Sequence, residues 1–342
     1  MKAPFRLVAG RSGSPETSEE AYRQLDMRAP SKRARRLRRL TPLLTAVLVV
    51  AGCGGAKHQA KTVTPTAAIG KAVPSTTPTG PAAFMGPVRQ VRAGGILIGY
   101  RQFGSGPPLV LVAGEASSMS YWGYELPRRL GAHFRVTEFD NRGVGWSTDQ
   151  PKRPLTIELM ADDTARLLGA LGIPKATVVG WSTGGEIGLS LAERHPDKLR
   201  ALVVSGATAG GSTEVDMSAH SGSLLGSLFP AAARPAELAY FAGILAMPTE
   251  KVGRKISERQ AAAERRFAKT NATYDALTGI RVPVLVTAGG VDGVVPPANA
   301  RLIAARIPGA RLEIFPGAGH MMMFQDMDRF VALVTSFVKS SR

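Results

Sequence analysis

The chain has 342 residues, 44% of them apolar and 20% charged, enough for one large core with segments to spare. Its formal charge of +17 invites a nucleic-acid reading, but the first 52 residues hold 11 basic against 4 acidic residues, and the other 290 hold 32 against 22. One cysteine, Cys53, excludes an intramolecular disulfide and a cysteine-based metal site. None of the five histidines is paired at metal-ligand spacing, so no metal or other cofactor is called for.

The first element is a targeting segment. A basic run from Ser31 to Leu40 precedes an apolar stretch, Thr41 to Val50, and the small residues Ala51 and Gly52. Basic, apolar and small regions in that order describe an export signal. About ten apolar residues are too few to span a hydrocarbon core of ~30 Å. Met27 opens a signal of conventional length. Val50-Ala51-Gly52-Cys53 resembles the bacterial lipobox, which implies lipidation of Cys53 and a membrane anchor without a transmembrane helix. The expectation is an exported protein, lipid-anchored or secreted, facing the cell exterior. Loss of residues 1–52 would remove the basic run Lys32–Arg39, so no nucleic-acid partner is expected. Residues 53–86, rich in Ala, Thr and Pro, read as a tether.

A regular pattern starts at residue 87. Val88 to Tyr100, with Gly94-Gly95 inside, predicts a β-hairpin. Strands are predicted at Pro108–Gly114, Arg135–Asp140, Ala176–Gly180, Leu202–Ser205, Val282–Ala288 and Leu312–Phe315. Helices are predicted from Thr156, a candidate N-cap, to Gly172, and over Gly185–Arg194, Pro297–Ile307 and Met327–Lys339. This alternation implies a mostly parallel sheet covered by helices on both faces. Between about 208 and 279 it gives way to helical stretches at Ser223–Phe229, Ala236–Met247 and Ile256–Ala276, a cap inserted over the sheet's carboxyl edge.

Gly180-Trp181-Ser182-Thr183-Gly184 sits directly between a predicted strand and a predicted helix. A sharp strand-to-helix turn needs glycines beside the serine, exposes its hydroxyl, and sets it at a helix N-terminus that favours developing negative charge. A serine nucleophile needs a base held by a carboxylate. His58 lies in the tether, His133 precedes a strand, His195 ends a helix beside Pro196 and is expected to interact with that helix terminus, and His220 lies in the insertion. His320, after the last strand, shares the carboxyl edge with Ser182. Asp292 follows the strand Val282–Ala288, and no acid closely follows the strand ending at Ser205.

From about residue 88 to 338 the chain resembles the α/β-hydrolase superfamily. The resemblance rests on the turn around Ser182, on Asp292 and His320 in that chain order, and on Asp140-Asn-Arg-Gly-Val-Gly-Trp-Ser147. It implies an α/β-hydrolase fold, a Ser182–Asp292–His320 triad, a small acyl substrate, and an oxyanion hole made by the N–H groups of Glu115 and Thr183. Members often carry His before the glycine that is here Gly114. Ala113 stands in its place, and the Glu115 side chain is expected to point away or be paired. Trp181 and Met321 are candidates for an apolar pocket. A carboxylesterase of the cell envelope is the leading reading. A cofactor-free haloperoxidase or perhydrolase, a carbon–carbon bond hydrolase, and a non-catalytic binding protein on the same scaffold stay open, because a triad alone does not separate them.

Overall fold

Nine strands among the described residues form one sheet in the order β1-β2-β3-β5-β4-β6-β7-β8-β9. They are β1 (Lys71–Ala72), β2 (Arg89–Ala93), β3 (Ile96–Phe103), β4 (Pro108–Val112), β5 (Arg135–Phe139), β6 (Ala176–Trp181), β7 (Leu199–Ser205), β8 (Val284–Gly289) and β9 (Arg311–Phe315). The computed structural model describes residues 71–72, 77–212, 214–215, 224–248 and 252–341. All of these fall in the second of two units, Pro65–Arg342. The leader, Cys53, Met27, His58, His220 and Ser223 lie outside the described residues.

β1–β2, β2–β3 and β3–β5 pair antiparallel, whereas β5–β4, β4–β6, β6–β7, β7–β8 and β8–β9 pair in parallel. The hairpin of β2 and β3 turns at Gly94 and Gly95, both with positive φ, as their sequence predicts. Ten described helices complete the chain: α1 (Glu125–Gly131), α2 (Ile157–Ala170), α3 (Thr183–Arg194), α4 (Leu224–Leu228), α5 (Arg234–Leu245), α6 (Arg254–Phe267), α7 (Ala272–Ala276), α8 (Pro297–Arg306), α9 (Met322–Gln325) and α10 (Met327–Ser340). Thr156 caps α2 by accepting a hydrogen bond from the Leu159 N–H at 3.0 Å, and Gly172 takes positive φ just past its end.

Strand side chains alternate between two cores. Val110, Val112, Val178 and Val204 pack with α2, α3 and α8. Leu109, Leu111, Val179 and Val203 pack with α1 and α10. This is the two-faced α/β sandwich that alternating strands and helices require. The order reverses at β4, flanked by β5 on one side and β6 on the other. Ligand sites in open α/β sheets lie at such a reversal, beyond the carboxyl ends of the strands.

Three expectations change. Packed structure begins upstream of residue 87. A 3-10 turn at Gly80–Met85 buries Ala82 and Met85, and Phe84 meets Phe103 edge-on at 5.3 Å. The polar composition of residues 53–86 hid these few apolar side chains. The helix expected over Ile256–Ala276 is broken between α6 and α7. Thr270 and Asn271 there bond backbone N–H groups, of Ala272 and Ser212, in place of continuing the helix. The His195 ring meets Asp162 of α2, Nε2 to Oδ1 at 2.8 Å, instead of serving only its own helix end.

The Asp140–Ser147 turn ties β5 to its surroundings. Arg142 and Asp163 of α2 form a bidentate pair, both bonds 2.7 Å, with side chains 0% and 2% exposed. Removing one member of a buried pair strands the other charge. Arg142→Ala is therefore expected to lower unfolding free energy by about 3–5 kcal/mol in urea denaturation, and Arg142→Met with Asp163→Leu to recover most of that loss.

Candidate active site

Ser182 links β6 to α3 with φ 57° and ψ −128°. Among the described residues only it and Ala116 (φ 49°) are non-glycines at positive φ. Such backbone costs about 1–3 kcal/mol and survives only where its surroundings dictate it. Here they do. A methyl at Gly180 would lie 2.1 Å from the Gly184 oxygen, and one at Gly184 would lie 2.0 Å from the Val112 oxygen. Only glycine lets the turn close this tightly. The Ser182 N–H donates to the Ser205 oxygen at 2.9 Å and its carbonyl accepts from Gly185 at 2.7 Å. Its side chain is half-buried, so it keeps a path to solvent.

His320 and Asp292 arrive from the loops after β9 and β8. His320 Nδ1 lies 2.8 Å from Asp292 Oδ2, with the residues 2% and 1% exposed. Asp292 Oδ1 accepts from the N–H groups of Val294 and Val295, each at 2.8 Å. A carboxylate can only accept, so His320 donates through Nδ1 and keeps Nε2 free to take a proton. Both side chains crowd Gly206, which follows β7 at φ +56°. A methyl there would meet His320 Nδ1 and Cε1 at 3.1 Å and Asp292 Oδ2 at 3.4 Å. Ser205, the preceding residue, receives the Ser182 N–H. The Trp181 indole N–H donates to the His320 oxygen at 3.1 Å, with ring centroids 5.4 Å apart. The structure thus brings Ser182, Asp292 and His320 to one edge. Trp181 and Met321 beside them are both buried, Met321 with its N–H on the Leu228 oxygen.

Gly114 carries the loop after β4 past the serine, its would-be methyl 3.1 Å from Ser182 Cβ. The N–H groups of Glu115 and Thr183 are without a protein acceptor among the described residues. Asp140 anchors the same loop, with Oδ1 accepting from Met119 N–H at 2.7 Å, and Asn141 donates to the Ala113 oxygen at 3.3 Å.

Sequence reasoning missed the cap's contribution. Gln260 Oε1 accepts from the Ala116 N–H at 2.8 Å, and Glu264 accepts from the Thr183 hydroxyl. The one signal was an interrupted stripe. Ile256, Gln260, Ala263 and Phe267 are the buried residues of α6, so a polar side chain fills an apolar position. Glu115 lies beside Glu264 and Arg265, and burial, foremost, pushes its carboxyl up. Burial, foremost, and the nearby Glu115 carboxylate push the Glu264 carboxyl up to about 7. Burial likewise pushes Glu186, in the first turn of α3, well up, with Glu264 and Glu214 adding to it. Among the described residues no group of three or more His, Cys, Asp or Glu could hold a metal ion.

A doubly covered parallel sheet, a strained serine at its reversal point and a buried His–Asp pair on the same edge define a hydrolase scaffold. A profile of the alpha/beta hydrolase family matches residues 109–333, and the chain belongs to that family. It is 31% identical over 265 residues, 70% of this chain and 95% of the other, to the protein named "Putative carbamate hydrolase RutD" of Caulobacter sp. (strain K31). Among solved structures, the esterase RhEst1 from Rhodococcus sp. ECU1013 matches with a TM-score of 0.62 at 26% identity, covering 75% of this chain and 99% of that one. The enol-lactonase from Burkholderia xenovorans LB400 matches with a TM-score of 0.59 at 28% identity, covering 73% and 99%. The protein is an enzyme of the hydrolase class.

Gly206→Ala tests the packing of the site. The methyl would stand 3.1 Å from His320 at a positive φ, so the ring must give by a few tenths of an ångström, whereas ~1 Å of misplacement costs roughly 10²-fold in rate. Hydrolytic kcat is expected to fall by less than that factor, with an unchanged circular dichroism spectrum.

Proposed function

We propose that this enzyme hydrolyses carboxylic esters through an acyl-enzyme on Ser182. The observation that carries the reading is the His320–Asp292 pair buried beside the strained Ser182 turn. His320 Nε2 takes the Ser182 hydroxyl proton as Oγ attacks the substrate carbonyl carbon. The free N–H groups of Glu115 and Thr183 hold the resulting oxyanion, typically worth ~3 kcal/mol per donor. His320 returns the proton to the leaving alkoxide, the C–O bond breaks, and the acyl group stays on Ser182. Water then gives a proton to His320 and attacks the ester, and the proton passes back to Ser182 as the acid leaves. Asp292 fixes the tautomer throughout. Trp181 and Met321 border the acyl side of this site.

The relatives support a small substrate with an acyl carbon bound to a heteroatom. They are named as a carbamate hydrolase, an esterase and an enol-lactonase. A fluorophosphonate probe is expected to label the purified protein on Ser182, mapped by mass. Ser182→Ala is expected to lose the label and about 10⁶-fold in ester kcat, and Asp292→Asn about 10⁴-fold. A fully active Ser182→Ala enzyme would refute the assignment.

We further propose that the enzyme is exported and held at the membrane by a lipid on Cys53, supported by the signal pattern of residues 27–53, with residues 1–52 removed and the catalytic domain tethered behind the anchor. In a bacterial host, intact mass is expected to show a diacylglyceryl group on an N-terminal Cys53. Cys53→Ala is expected to move the enzyme from the membrane fraction to the soluble one. An unmodified cysteine in membrane-free enzyme would refute the anchor.

A further inference from the structure

Resting on the serine-hydrolase reading above, we propose that Gln260 and Glu264, one turn apart on cap helix α6, are positioning residues for the two oxyanion amides. Each reaches one of the two strands of backbone that supply those amides. Gln260, 1% exposed, receives the N–H of Ala116, the residue directly after Glu115. Glu264 receives the Thr183 hydroxyl and pairs with the Glu115 side chain.

The backbone explains why such support is needed. The two non-glycine residues at positive φ among the described residues, Ala116 and Ser182, each adjoin a donor amide. Both turns therefore sit in sparsely populated backbone, where relaxation would swing the Glu115 or Thr183 N–H off target. Gln260 satisfies the Ala116 N–H, so a shift of this loop away from α6 would break a hydrogen bond to a buried side chain. The bond spans 144 residues of chain, which ties the oxyanion loop to the closed cap.

Charge sets the second half of the role. Glu115 and Glu264 share a hydrogen bond in a half-buried to buried setting, and two carboxylates in such contact do not both ionise readily. Burial, foremost, raises both carboxyls, Glu264 to about 7, so Glu264 holds a proton below that value. Glu264 also accepts from the Thr183 hydroxyl. Glu264 is faced by Glu115 from the loop after β4, by Glu186 and Thr183 of α3, and by Glu214 from the segment after β7, while Arg265 of α6 acts on Glu115. Losing the proton adds a negative charge beside the place where the oxyanion forms, so the neutral form of Glu264 is the productive one. Activity is accordingly present below the raised value of about 7 and declines as pH rises through it.

The test is ester kcat and KM across about pH 5.5–9 for wild type, Gln260→Ala, Glu264→Ala and Glu264→Gln, with fluorophosphonate labelling of each. Both alanine variants are expected to lose about 10- to 100-fold in kcat with KM nearly constant and Ser182 still labelled. Wild type is expected to decline above about pH 7, by up to about tenfold per pH unit. Glu264→Gln keeps the neutral bonding pattern and is expected to lose that decline. The positioning role is overturned if kcat is unchanged in both alanine variants, or if Glu264→Gln declines with pH as wild type does. If an alanine variant does not fold, the comparison of wild type with Glu264→Gln decides alone. Wild type that fails to label at Ser182 would instead overturn the serine-hydrolase reading.

Discussion

Everything at this site depends on how closely α3 can approach β4 and β6. The Gly180 and Gly184 contacts leave no volume for a side chain, and that crowding forces Ser182 into its strained angle. The same turn is fastened sideways, because the Ser182 N–H bonds β7 and Gly184 rests on the end of β4. The serine therefore inherits the rigidity of three adjacent strands. A hydroxyl held this way needs no ordering when substrate arrives, which is how a scaffold converts folding energy into orientation.

The cap closes over that rigid centre by two separate grips. On the histidine side, the N–H groups of His320 and Met321 donate to Ser227 and Leu228 at the end of α4, at 3.0 and 3.2 Å, and Gln325 donates to Leu228 at 3.0 Å. On the serine side, α6 accepts from the Ala116 N–H and the Thr183 hydroxyl. Apolar packing backs both, with Phe229, Tyr240 and Ile244 in one core and Ile256, Ala263 and Phe267 in the other. A cap bonded to backbone at both ends of the site is part of its geometry as well as its cover.

What could be read from the sequence follows from the range of the interactions. The hairpin at Gly94-Gly95, the Thr156 cap and the turn around Ser182 are set by neighbours a few residues away, and their residue types announce them. Strand starts were less legible. β7 begins at Leu199, three residues before the apolar run Leu202–Ser205, because Arg200 and the small Ala201 interrupt the hydrophobic pattern while the backbone still pairs with Ala176 and Thr177. The break between α6 and α7, the Asp162–His195 contact and the packing of Gly80–Met85 depend on partners brought in by the fold. Gln260 is the sharpest case. On a strongly charged helix it reads as a surface residue, and only its place in the buried stripe beside Ile256 and Ala263 marks it.

The carboxyl groups around the serine fall into two environments, and the contrast explains how an acid is accommodated directly after Gly114. Asp292 accepts three hydrogen bonds, two from backbone N–H groups and one from His320, so its lone pairs are answered by donors. Glu115, Glu186 and Glu264 have few donors and one nearby cation, Arg265, which acts on Glu115. Burial without donors raises a carboxyl until it keeps its proton, and a protonated carboxyl is a donor. Glu264 thereby supplies the partner that Glu115 lacks. On the proposed reading, the carboxyl beside the Glu115 amide then has a neutral neighbour from the cap.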